Sequence, residues 1–235
     1  MSAIDPTKTT LGDLVTREPR AASLFEQLGI DYCCGGHRTL AEAAAQRGLD
    51  ATTLAVLVEG FPREDDRSTV EPHDVARSSM GDLCDHIVVA HHDRLRRELP
   101  AIDELVATVV RVHGGEHREL SDLQRTFEGL RHELEVHLDI EERELFPACR
   151  RLERSFAPGE EFDASLLALM EDEHDAVGAA LVALRELCGD YDESRALCGT
   201  HRRLLRALHA LERDLHQHVH EENNILFGKL RARLG

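Results

Sequence analysis

The chain has 235 residues, 4% aromatic with no tryptophan, and a formal net charge of −17 from 28 basic and 45 acidic side chains. That length suits one or two domains with a substantial core, and the negative field disfavours nucleic-acid and anionic-membrane partners. The N-terminus, MSAIDPTKTT, lacks an apolar segment, and no run of about 18 apolar residues occurs, so a cytoplasmic protein is expected. Its six cysteines, Cys33, Cys34, Cys84, Cys149, Cys188 and Cys198, then read as thiols rather than a disulfide framework.

Residues 1–60 read as a small helical domain. Thr10 has the position of a helix cap, Pro19 suits the start of a second helix, and Gly29 stops it. Asp31-Tyr32-Cys33-Cys34-Gly35-Gly36 is a turn by composition, expected to be exposed. Thr39 and Glu42 have capping-box spacing, Gly48 closes that helix, and Asp50 opens another. Residues 61–78, with two prolines, many charges and no apolar periodicity, read as a linker.

Residues 79–235 carry four long amphipathic stretches, joined at Gly114-Gly115, Pro158-Gly159 and Gly189 to Asp192. The fold class is therefore all-α, an up-down-up-down four-helix bundle preceded by the small domain. The first stripe runs Val88, His92, Leu95, Leu99, Ile102, Leu105, Val109, with Pro100 as a candidate kink. The second ends Leu134, His137, Glu141, Leu145; the third holds Met170, His174, Val177; the fourth ends Leu215, His218, Glu222, Ile225.

In each stripe a histidine stands where a core residue belongs. His137 with Glu141 and His218 with Glu222 are four apart, roughly 40° around a helix, so each pair shares a face. Burying two carboxylates and four imidazoles without a counter-charge would cost several kcal/mol per carboxylate. A metal pair removes that cost. The donor set has nitrogen and oxygen but no sulfur, which argues against structural zinc and iron-sulfur clusters and suits iron, manganese or zinc; open positions on a dinuclear pair suit redox chemistry, which favours two non-haem iron ions. If both glutamates bridge, an oxo or hydroxo bridge completes five ligand atoms and leaves one position for a small molecule. A ferritin-like site would need two Glu-x-x-His motifs, and only Glu171 to His174 has that spacing.

By the same helical arithmetic His132, His216 and His220 turn away from the seam, Glu142 and Glu221 are displaced from their stripes, and Glu144 is the alternative to Glu141. Glu133 and Glu173 are candidates for orienting the imidazoles or relaying protons. Adjacent cysteines close a disulfide only with strain, so Cys33 and Cys34 suit reversible redox, docking or soft-metal contact, or simply pack in a structural turn.

Five segments, DYCCGG (31–36), HHDRLRRELP (91–100), HLDIEERELFP (137–147), EDEHDAVG (171–178) and HVHEENNILF (218–227), resemble the iron-sulfur cluster repair di-iron proteins, which join a vicinal-cysteine domain to a hemerythrin-like bundle. The resemblance implies iron ligands at His92, His137, Glu141, His174, His218 and Glu222, with the two glutamates bridging. It also implies repair of clusters damaged by nitric oxide or peroxide, through iron donation, nitric oxide handling or both, with damaged or apo iron-sulfur proteins as partners. Gly228, where the family often has Pro, bears only on the end of the last helix. A hemerythrin-type sensor or carrier of O2 or NO, and a di-iron oxidase or peroxidase, are the competing functions. Whether two chains pair as a homodimer is open at this level.

Overall fold

A computed structural model of the chain describes residues 4–62, 75–154 and 162–234. Most of the expected linker and the Pro158-Gly159 turn lie outside the described residues. Within them the protein is all-α, as expected, apart from one isolated bridge between Thr10 and Thr39. None of the six cysteines forms a disulfide. No helix among the described residues is long and apolar enough to cross a membrane. The chain divides into two compact units, one of Met1–Leu83 with His216–Gly235, the other of Cys84–Leu215.

The first unit contains α1 (Leu11–Arg17), α2 (Arg20–Leu28), α3 (Leu40–Gln46) and α4 (Ala51–Gly60). Helices this short do not persist alone and need both caps and a shared core. Thr10 accepts from the backbone N–H of Asp13, Thr39 and Glu42 form the full capping box, and Asp50 accepts from Thr53. Gly29 and Gly48 take positive φ values of 63° and 66°, which a side chain would oppose. Pro19 stands at the N-cap of α2, at the helix start expected of it. Leu11, Leu14, Phe25, Tyr32, Leu40 and Leu54 fill the core, each contributing about 2 kcal/mol of burial.

The second unit is built on α6 (Asp93–His113), α7 (Glu119–Ile140), α8 (Phe146–Arg154), α9 (Ala164–Leu187) and most of α10 (Gly199–His220), with α5 (Met80–Ile87) leading in. α6 packs on α7 and α7 on α9. Their apolar stripes meet at Leu99, Ile102, Phe127, Leu134, Leu181 and Leu208 among others. Pro100 lies inside α6, which stays continuous, and Val106 rather than Leu105 enters the core there. Asp163 caps α9. Gly189, Asp190 and Tyr191 all take left-handed φ values, 57°, 56° and 57°, at the turn that follows.

The helical arithmetic of the sequence breaks at three places. π-turns occupy Val88–His92, Glu141–Leu145 and Glu221–Leu226, the last followed by α11 (Phe227–Leu234), which runs through Gly228. In each, the closing N–H reaches five residues back: Asp93 to Val88, Phe146 to Glu141, Phe227 to Glu222. Such turns hold one surplus residue and are common at functional sites. Each of these three contains a residue singled out as a ligand.

Candidate metal centre

In the second unit His92, His137, Glu141 and His174 are all buried, Glu141 and His92 completely. The two oxygens of Glu141 face different rings: Oε1 is 3.3 Å from His137 Nε2, and Oε2 is 3.3 Å from His92 Nε2. His174 Nε2 lies 3.1 Å from His137 Nε2. One donor-type atom each of His137, Glu141 and His174 lies within 4.8 Å of the others. His92 also stacks on Phe146, with ring centroids 5.5 Å apart, which fixes the plane of the ring.

The outer edges of two rings explain the orientation. His92 Nδ1 is 2.8 Å from Glu142 Oε1, and His137 Nδ1 is 2.6 Å from Glu173 Oε2. A carboxylate accepts only, so it selects the tautomer with the proton on Nδ1 and leaves a lone pair on each Nε2. Those lone pairs then face the oxygens of Glu141, and a single proton on that carboxyl could satisfy only one of the two contacts. A cation among them satisfies both. The donors are imidazole nitrogen and carboxylate oxygen, the set that suits iron. The residues therefore fit the metal that the resemblance implies.

In the first unit His218 and Glu222 are likewise buried, with His218 Nε2 3.1 Å from Glu222 Oε1. This is the spacing of His137 and Glu141 repeated on the last helix.

Other expectations are corrected by the packing. Glu133 is exposed, and the acceptor for His137 is Glu173, one residue before His174. Glu144 is exposed, whereas Glu141 is not. Glu142, set aside as off-stripe, is the carboxylate that holds His92; burial raises its pKa, but hydrogen bonds from Arg96 and His92 outweigh this and lower it overall. Glu221 and His220 are buried rather than solvent-facing. Desolvation lowers the pKa of His220 to about 4, so its ring is neutral, with Nε2 3.3 Å from Thr16 Oγ1. His216 is half-buried, and both rings meet the edge of Tyr32. Glu142 escaped a 100° rule because it lies inside a π-turn, whereas His216 and His220 lie in regular α10 and are covered on their own face by Tyr32. The signal that could have shown a π-turn is the five-residue step from the buried Ile87 to the buried His92.

His91, next to His92, is also buried, with Nδ1 3.2 Å from Asp214 Oδ1, an oxygen that also accepts from Arg94 at 2.9 Å. It faces its own carboxylate, which leaves His92 as the ring directed at Glu141.

The cysteine turn differs from the exposed one expected. Cys33, Gly35 and Gly36 are buried and Cys34 is half-buried. Asp31 Oδ1 accepts from the backbone N–H of both cysteines, at 3.1 and 3.0 Å. The two Sγ atoms are 4.0 Å apart, and Asp31 lies 3.3 Å from Cys33 Sγ. The hydrogen bond with Cys34, burial and the Asp31 charge all push the Cys33 thiol well above its usual pKa, so Cys33 stays protonated and Cys34 is the more accessible sulfur.

Comparison with known proteins finds two matching families. Residues 7–58 match the ScdA_N family, a domain of unknown function (DUF542), and residues 85–230 match the hemerythrin HHE cation binding domain. The chain is 32% identical to the iron-sulfur cluster repair protein ScdA of Staphylococcus haemolyticus, over 94% of this chain and 97% of that one. It is 34% identical to the iron-sulfur cluster repair protein YtfE of Escherichia coli O81, covering 94% and 96%. The YtfE protein of Escherichia fergusonii is 33% identical over the same shares.

Proposed function

Since the chain belongs to the iron-sulfur cluster repair proteins with a hemerythrin HHE domain, we propose that it restores clusters damaged by nitrosative or oxidative stress in the cytoplasm, using two non-haem iron ions. The ligands in this reading are His92, His137, Glu141, His174, His218 and Glu222. Bound iron supplies redox chemistry toward nitric oxide or oxygen and a store of metal for apo acceptors.

The observation that carries the reading is the pair of carboxylates, Glu142 and Glu173, on the outer nitrogens of His92 and His137. They fix both inner nitrogens as lone-pair donors before any metal arrives, and so reduce the ordering that binding requires. Glu141, whose oxygens face separate rings, is disposed to be shared between two cations. The residues of 7–58 present Cys34 at a turn, where it can contact a damaged cluster or an acceptor.

The test is iron stoichiometry of protein purified without added metal, followed by anaerobic mixing with an apo or nitrosylated iron-sulfur protein. About two irons per chain, and transfer of iron or recovery of the acceptor's cluster spectrum, are expected. A protein that binds no iron overturns the proposal. One that forms a stable O2 or NO adduct and never restores an acceptor is a carrier instead.

A further inference from the structure

Asn224 sits two residues after Glu222 in the π-turn, and its side chain reaches the cysteine turn. Its Nδ2 is 3.0 Å from the carbonyl oxygen of Cys33 and 3.3 Å from that of Tyr32, and 3.2 Å from Nδ1 of His220. The seat is shaped for this residue. A Cβ on Gly12 or Gly36 would collide with the Asn224 carboxamide. Gly12 N–H donates to Gly36 C=O at 2.8 Å, so these two glycines are themselves fastened together beneath it. α1, which contains Gly12, packs on the same π-turn.

We propose that Asn224 is a positioning residue that ties the Cys33-Cys34 turn to the π-turn bearing Glu222, so that thiol accessibility and metal occupancy respond to each other. Two residues on a helix are roughly half a turn apart, so Glu222 and Asn224 point to opposite sides of one short segment. Glu222 and Asn224 share the one π-turn Glu221–Leu226, a kind of turn frequent at functional sites, so a backbone shift at one is felt at the other. Drawing Glu222 toward a cation therefore moves Asn224, and with it the Cys33 carbonyl that accepts from its amide. The inference rests on the metal-binding reading for its second half only.

The experiment is alkylation of Cys34 by iodoacetamide, in which the sulfur displaces iodide and its proton goes to buffer, followed by mass mapping of the peptide. In metal-free protein, Asn224→Ala is expected to react roughly fivefold faster than wild type, the effect of losing about one hydrogen bond. Asn224→Leu, which keeps the volume but loses the N–H donors without adding charge, should behave similarly. Equal rates in all three overturn the proposal whatever the metal does. Iron loading should change the wild-type rate and leave the Asn224→Ala rate unchanged; the same response in both overturns the coupling. Should no preparation take up iron, the proposed function falls, and the metal-free comparison still decides the positioning role. Should Asn224→Ala fail to fold, Asn224→Leu and the wild-type response to iron decide it.

Discussion

His92 is gripped from both edges by neighbours in sequence: Nδ1 lies 2.8 Å from Glu142 and Nε2 lies 3.3 Å from Glu141. On an ordinary α-helix consecutive residues diverge by about 100°. The π-turn that begins at Glu141 lets both carboxylates reach one imidazole, and Arg96 anchors Glu142 at 2.6 Å. Glu142→Gln and Glu173→Gln should fold normally and bind iron about 10–100-fold more weakly, read by competition with a chelator. Unchanged affinity in both would remove these carboxylates from the metal chemistry.

Glu141 and Glu144 offer a sharp contrast. Glu141→Ala removes the buried carboxylate that faces two rings and is expected to abolish stoichiometric iron. Glu144→Ala alters an exposed side chain and should retain it. The reverse outcome, by metal analysis of the purified variants, would reassign the ligand.

Iron removal should lower thermal stability. Binding to the folded state alone stabilises by about 2.7 kcal/mol when free metal is 100 times its Kd. The expected signature is a Tm that rises with added ferrous ion and falls on chelation, and that is insensitive to both in Glu141→Ala. The same shift in that variant would locate the effect elsewhere.

The N-terminal helices should loosen in acid. Hydrogen bonds from Thr39 hold the Glu42 carboxyl below its usual 4.5, and those from Thr53 hold Asp50 below its usual 3.8. Both pKa values are depressed on folding, so the caps stabilise fully above the unfolded values and lose that contribution as pH falls through the folded ones. Asn caps a helix without titrating. Asp50→Asn should therefore match wild type near neutrality and show a flatter decline of Tm below pH about 4.

Much of this was legible in the chain. Thr10, Thr39, Glu42 and Asp50 act within three residues of themselves, so local pattern suffices to place them. His92, His137, His174 and His218 replace apolar residues in long stripes, which periodicity exposes. Glu142 lies where a π-turn interrupts the helical period, and His220 lies on a regular helical face that distant residues, Thr16 and Tyr32, cover. Asn224 was invisible for the same reason as His220: its partners Cys33 and Gly36 lie about 190 residues away in sequence, and nothing in local composition marks the pairing.

The surplus residue in each π-turn makes chain length a chemical variable. Removing one residue from Glu141–Leu145 would restore ordinary winding and leave α8 in register with the residues before it, yet displace Glu141 and Glu142 within the turn itself. A relative shortened by one at that place would still look like a bundle protein in composition and would have lost the shared grip on its imidazole. For chains of this type, a single-residue gap at Val88–His92, Glu141–Leu145 or Glu221–Leu226 is thus a better mark of abandoned chemistry than any substitution at the surface.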